Sequence, residues 1–283
     1  MDENRKPRDD EIDVHGLTHQ GKVRSDNQDQ FLIASLTRRL QVLATSLENP
    51  TRLNLTEDRV AFLSMVADGV GGGVGGQEAS ATALETVTEY VTSSSNCFLH
   101  ADAAGSEFIE TLQAAALKSH EAVKARAAEV ANGRSMATTL TLYMGVWPWY
   151  YLLQVGDSRY YLYRQGTLTQ ISRDQTIAQE LVDQGVLTRA VAERSRFADV
   201  LSSAIGAEEA APVVTRLRSE WGLVHLLCTD GLTKHVSDAR IAEVLGSMTS
   251  AKQACEQLLQ DALDGGGTDN ITLIIGRPLA KSA

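Results

Sequence analysis

Three apolar runs in this chain finish on an aspartate beside glycine: Met65-Val66-Ala67-Asp68-Gly69, Leu153-Gln154-Val155-Gly156-Asp157 and Leu226-Leu227-Cys228-Thr229-Asp230-Gly231. A fourth such site, Gly266-Gly267-Thr268-Asp269-Asn270, leads into an apolar run instead. Any one of them is ordinary turn chemistry, because Asp and Gly close loops through local hydrogen bonds and tolerance of positive φ. Four together mean more. If these ends meet in space, carboxylates converge, and their repulsion is relieved by a hard cation. A donor set of oxygens without His or Cys favours magnesium or manganese over zinc. Such ions acidify a bound water and clamp a phosphoryl group.

Two further patterns bear on phosphate. Gly71, Gly73 and Gly76 satisfy GxGxxG between an apolar run and a helical one, which is the dinucleotide fingerprint. Against it, the following helix leads to another helix, not to a second strand ending in an acidic residue, and no GKS or GKT turn is present. In Gly21-Lys22-Val23-Arg24-Ser25-Asp26-Asn27-Gln28-Asp29, Arg24 lies close to further acid and has the planar fork that pairs bidentately with phosphate. On its own it would read as a surface arginine.

The elements that must position these residues follow from periodicity. The run Val60–Ala67 is continuous and apolar, the pattern of a strand buried on both faces. Helical spacing of Leu84, Val87 and Val91 predicts a helix over 77–93, and that of Phe108, Leu112, Ala116 and Val123 a second over 107–130. Strands are expected at 30–33, 138–146, 150–155 and 159–164, with turns at Trp147-Pro148 and Gly156-Asp157-Ser158 and a hairpin at Gln165-Gly166. After a helical and loop-like stretch over 174–213 come a strand at 223–228, two helices within 238–263 and a last strand at 271–275. Residues 37–58, with Asn49-Pro50 as a turn signal, read as an insertion or hairpin loop. No repeat or linker divides the chain, so a single mixed α and β domain over 14–278 is expected, between a charge-dense, flexible N-terminus over 1–13 and a tail over 279–283.

With 43% hydrophobic and 22% charged residues, the 283-residue chain has an ordinary globular composition. A net charge of −10 argues against general nucleic-acid binding, which needs a concentrated positive surface. No apolar run approaches membrane-spanning length, and the N-terminus lacks a secretory pattern, so a cytoplasmic protein is expected. Cys97, Cys228 and Cys255 are odd in number and widely spaced, which suggests reduced packing thiols.

Arg24–Asp29, Asp68-Gly69 with its glycines, Ala137-Thr138-Thr139, Gly156-Asp157-Ser158-Arg159, Thr229-Asp230-Gly231 and Gly266–Thr272 form an ordered set spanning about 17–276. In order and spacing the set resembles the type 2C, metal-dependent protein phosphatase family, in its bacterial form of a stand-alone catalytic domain. The resemblance implies an α+β fold, a four-layer α-β-β-α sandwich of two antiparallel sheets flanked by helix pairs, with two Mn2+ or Mg2+ ions at one edge. It implies that Asp68 bridges the ions, that Asp230 and Asp269 hold the first, and that the Gly69 carbonyl helps hold the second. Arg24 is implied to grip the substrate phosphate and Asp29 to orient metal-bound waters, with Gln28 and Asn270 standing behind these ligands. The implied reaction is hydrolysis of protein phosphoserine and phosphothreonine by a metal-activated water, without a phosphoenzyme. Phosphoproteins linked to a serine/threonine kinase are the implied partners of a monomeric enzyme.

This chain departs from the family pattern in three places. Val70 stands where eukaryotic relatives carry a histidine proposed as general acid, so leaving-group protonation has no assigned residue. Gln28 replaces a common glutamate and removes a charge near the second metal, while leaving a water-mediated role open. Lys234, four residues after Asp230, replaces an aspartate that helps bind a third metal with Asp157. A lysine filling that site makes Asp157 a conditional third-metal ligand and predicts a two-metal resting enzyme, in which Lys234→Asp strengthens the third site. Residues 173–213 correspond to the family's variable flap beside the cleft. The alternative is a pseudophosphatase that binds a phosphoprotein without turnover; retention of Asp68, Asp230 and Asp269 favours activity.

Overall fold

The structure, a computed structural model, describes residues 5–38, 58–71, 74–94, 105–130 and 136–279. In chain order the elements are β1 (Ile12–His19), β2 (Gln30–Arg38), β3 (Asp58–Ala67), β4 (Gly69–Val70), α1 (Val74–Ser93), α2 (Ser106–Val130), β5 (Ala137–Thr138), β6 (Leu140–Val146), β7 (Trp149–Val155), β8 (Arg159–Arg164), β9 (Thr167–Gln170), α3 (Ile177–Asp183), α4 (Arg189–Ala192), β10 (Val213–Arg218), β11 (Val224–Cys228), α5 (Asp230–Thr233), α6 (Asp238–Ser247), α7 (Ala251–Asp264) and β12 (Ile271–Pro278).

The strands make two antiparallel five-stranded sheets, in the orders β1-β12-β11-β8-β9 and β10-β7-β6-β3-β2, and β4 pairs with β5 in a two-residue ladder. The continuous apolar run of β3 is explained by the layers on either side of it. Successive side chains point to opposite faces of a strand, so Met65 joins the layer under α1 and α2 while Val66 enters the layer between the sheets. Leu84, Val87 and Val91 of α1 and Phe108 and Leu112 of α2 pack on Leu63, Met65, Leu142 and Met144. On the other sheet, Ile241, Val244 and Leu245 of α6 and Leu258 of α7 cover Leu226, Ile271, Leu273 and Ile275. Tyr150, Leu152, Tyr160, Leu227 and Ile274 fill the space between the sheets. Each such side chain, fully buried, contributes about 1.5–3 kcal/mol relative to exposure. These are the four expected layers.

Besides the two-residue β4, two strands were not anticipated. β1 pairs with β12 along its length, from Ile12 opposite Pro278 to His19 opposite Ile271, and β10 lies at a sheet edge beside β7. From Arg5 onward the charged residues of the N-terminus are paired: Arg5 holds Glu11 through two contacts of 2.7 and 2.8 Å, and Arg59 reaches Asp9 at 2.5 Å. The 39–57 part of the expected insertion, Gly72 and Gly73 of the glycine run, Cys97 and residues 280–283 lie outside the described residues. The antiparallel order around β3 removes the dinucleotide reading, which needs parallel strands joined through the helix. Among the described residues no helix is long and apolar enough to cross a membrane.

Candidate metal centre and phosphate site

Asp68 follows the last residue of β3, Asp157 lies in the turn between β7 and β8, Asp230 opens α5 after β11, and Asp269 precedes β12. Asp29, one residue before β2, joins them and is only 1% exposed. All five are close enough to interact: Asp68 is pushed well above the carboxylate range by burial and then by the charges of Asp29, Asp230, Asp157 and Asp269.

Glycines permit the close approach of the loops. A side chain at Gly231 would strike the carbonyl of Asn270, and one at Gly21, where φ is 81°, would strike the carbonyl of Asp269. At Gly69 a side chain would run into the carbonyls of Gly76 and Gln28, so the glycine run packs backbone on backbone. Gly266 and Gly267, at φ 131° and 55°, turn the chain from α7 towards Asp269.

A layer of hydroxyls and amides lies beneath the carboxylates. Thr229 Oγ1 donates to Asp29 Oδ2 at 2.8 Å, and Asp68 N–H donates to Thr139 Oγ1 at 2.9 Å. Thr139 shares a 2.7 Å contact with the buried Ser158 hydroxyl. Asn270 accepts the Gln28 N–H at 2.9 Å and donates to the carbonyls of Gln20 at 2.9 Å and Asp26 at 2.8 Å, which ties the loop carrying Arg24 to the strand behind Asp269. Gln28 is held in turn by the Ser80 hydroxyl, which donates to its carbonyl at 2.6 Å.

Burial raises Asp29 to about 7, against the hydroxyls of Thr272 and Thr229, with Asp230 and Asp269 adding to the rise. Burial and the charges of Asp230 and Asp174 likewise raise Asp157 to about 7. Asp230 is raised by burial despite Lys234. Asp269 goes the other way: burial pushes it up, but hydrogen bonds from Arg24 and Lys234 outweigh that and hold it below the usual range. Arg24 Nε and one terminal nitrogen sit 2.8 and 2.9 Å from the two Asp269 oxygens. Lys234 Nζ is 2.6 Å from Asp230 Oδ2 and 3.0 Å from Asp269 Oδ2.

The donor set fits a hard divalent cation. Asp29 Oδ1 and Asp230 Oδ1 are buried without a hydrogen-bond partner, a costly state that a bound cation or its water relieves. Among the described residues, no three acidic, imidazole or thiol side chains already form a coordination shell. Two protein cations instead share Asp269.

The protein phosphatase 2C family profile matches residues 53–264 of this chain. The chain belongs to the protein phosphatase 2C family. It is 33% identical over 246 residues to the serine/threonine protein phosphatase PstP of Mycobacterium tuberculosis, covering 86% of this chain but 46% of that protein. The crystal structure of Mycobacterium tuberculosis PstP superposes with a TM-score of 0.75 at 28% identity, over 95% of this chain and 99% of that one. The PstP catalytic domain in complex with two manganese ions superposes with a TM-score of 0.72, also at 28% identity, over 95% and 99% of the two chains. This 2C-family fold therefore spans about half the length of the relative PstP.

The described residues expected to hold metal or phosphate stand together at strand ends of the 2C sandwich, but three positions have unexpected surroundings. Arg24 is turned onto Asp269, which takes up its Nε and one terminal nitrogen. Val70, in the position of the missing histidine, is 44% exposed beside Asp68. Lys234 was expected to fill the site of Asp157; its ammonium is hydrogen-bonded to Asp230 and Asp269, while Asp157 feels it only as a weaker charge behind Asp230 and Asp174.

Sequence reasoning missed the threonines. Thr18 and Thr272 are joined through a 2.8 Å contact, and Thr229 completes the shelf under Asp29. For Thr229 and Thr272 the signal was a polar β-branched residue beside a site loop on an otherwise apolar strand. Also missed was the pair in which Arg159 grips Asp174 at 2.7–3.1 Å. That pair lines a cavity of about 170 Å³ shared by Asp157, Asp230 and Lys234 with Thr176 and Asp199.

Proposed function

We propose that this protein hydrolyses phosphoserine and phosphothreonine in proteins, with Asp68, Asp230, Asp269 and the Gly69 carbonyl holding two manganese or magnesium ions. The observation that carries the reading is the gathering of five aspartates from five chain segments at the ends of strands of both sheets, with two buried carboxylate oxygens unpartnered. The ions, when bound, supply Lewis acidity towards water and charge neutralisation for phosphoryl oxygens.

The chain's own groups divide the remaining work. Asp29 is anchored through Oδ2 by Thr229 and keeps Oδ1 free to orient a water. Arg24, with its side chain 56% exposed, binds the substrate phosphate by exchanging Asp269 for it. Asn270 and Gln28 hold the two loops in register. Cys228 and Cys255 are buried thiols raised to about 12, which makes them poor nucleophiles and supports direct hydrolysis without a covalent enzyme intermediate. The same unpaired thiols suit a reducing, cytoplasmic setting. A serine/threonine kinase must supply the phosphoester, and the flap-side cavity lies where the residues around it would rest.

One observation favours a phosphoprotein binder without turnover: Lys234 and Arg24 occupy Asp269 as a metal ion would. Hydrolysis of a phosphothreonine peptide, measured with manganese, with chelator and with Asp68→Asn, separates the two. Turnover that needs manganese and falls at least about 10³-fold in Asp68→Asn is expected. Tight peptide binding without manganese-dependent release of phosphate would establish the binder instead.

A further inference from the structure

The Asp230–Asp269 pair already has a cation. Lys234 caps the C-terminus of α5, four residues after Asp230. Residues four apart on a helix share a face, so the lysine side chain runs back along Asp230 to a 2.6 Å contact. Asp269 comes from the other direction, through the Gly266-Gly267 turn, to 3.0 Å from the same nitrogen. With Arg24 on Asp269 the local charge is two carboxylates against two cations, a balanced set. Among the described residues no basic side chain bonds Asp29, Asp68 or Asp157 in the same way.

We infer that Lys234 is the protein's own counter-ion for Asp230 and Asp269, and that a divalent cation reaches this pair only by displacing its ammonium. The inference rests on the metal-centre reading above. It makes the two metal positions unequal. The position drawing on Asp68 and the Gly69 carbonyl has no built-in cation to displace and fills first, whereas the position that adds Asp230 and Asp269 competes with a tethered cation and fills weakly. A displaced ammonium has carboxylates to go to: Asp199 Oδ1 of the flap stands 3.9 Å away and Asp157 is within its field. Lys234 thereby governs metal occupancy from within the chain, at a position where an aspartate would instead add a ligand.

The test has two readouts, neither of them catalysis. Manganese is titrated into chelator-treated wild-type protein, Lys234→Met and Lys234→Arg, with free Mn2+ followed by its electron paramagnetic resonance signal. Each protein is also melted in chelator. The Lys234 side chain is 31% exposed, so methionine fits without disturbing the core; Lys234→Gln serves as a second neutral variant. Loss of the charge should tighten the weaker manganese site at least tenfold and lower the melting temperature in chelator by at least about 2 °C. Lys234→Arg should restore both values towards wild type. Equal manganese affinities in wild type and Lys234→Met, or equal melting in chelator, overturn the role of Lys234 alone. If neither protein takes up manganese, the metal-centre reading falls and this inference with it.

Discussion

The side-chain carbonyl of Asn270 accepts the backbone N–H of Gln28 at 2.9 Å, across 242 residues of sequence. Its amide nitrogen simultaneously donates to the carbonyls of Gln20 and Asp26. One nearly buried side chain thus fixes the loop that carries Arg24 and Asp29 against the residue next to Asp269. Replacing it by alanine removes three hydrogen bonds, each worth about 0.5–1.5 kcal/mol net. Asn270→Ala should lose about 2–4 kcal/mol of stability in a denaturant titration and at least tenfold in kcat on a phosphopeptide. Asn270→Asp keeps the acceptor for Gln28 but not the two donors, and should fall between the two; kcat equal to wild type in Asn270→Ala would show that the loop is positioned by other contacts.

Thr229 offers a narrower probe, because its hydroxyl donates to Asp29 Oδ2 and accepts the Thr272 N–H at 3.0 Å. Thr229→Val keeps the shape and removes both partners. A buried group left unpaired costs about 1–3 kcal/mol, so the variant should be destabilised by that order. Freed from its anchor, Asp29 should also lose hold of its water, with a fall of about tenfold or more in kcat and little change in KM. Thr229→Ser restores the hydroxyl and should recover most of both losses. A Thr229→Val enzyme with wild-type kcat would remove Asp29 from the catalytic account.

Legibility in the sequence followed burial. Strands buried on both faces, such as the run ending at Asp68, announce themselves by uninterrupted apolar residues and a terminal Asp-Gly. β1 did not, because Ile12-Asp13-Val14-His15-Gly16-Leu17-Thr18-His19 mixes charge, histidine and glycine at the sheet edge, and its pairing with β12 is set by contacts some 250 residues away. β10, Val213–Arg218, is an edge strand with alternating exposure and carries the same weak signal. The site aspartates were legible because each stood at an element boundary. Lys234 shows the limit: its place four residues after Asp230 was plain, but the short helix that sets the two face to face was not, and Asp269 lies 35 residues further on and reaches it only through the fold.

The raised carboxylates make a prediction about pH in the absence of metal. Asp29 and Asp157 titrate near 7 in the folded protein, above the ordinary carboxylate value of 3.8, because they are buried among like charges. The folded state therefore binds more protons than the unfolded state between those limits, and their contribution to stability is full below about 4 and lost as pH rises through 7. Buried, neutral His225, lowered to about 4, acts oppositely but only between about 4 and its ordinary 6.5. Asp269, lowered, withdraws its contribution only at still lower pH. The window from 6.5 to about 8 consequently belongs to the raised aspartates. In chelator the melting temperature should fall across that window, and in Asp29→Asn/Asp157→Asn it should fall much less. Saturating manganese should flatten the profile and raise it most at the alkaline end, because the ion takes over the neutralisation that protons provide below pH 7. A chelated protein whose melting temperature rises from pH 6.5 to 8 would contradict the convergence of charge on which the site is built.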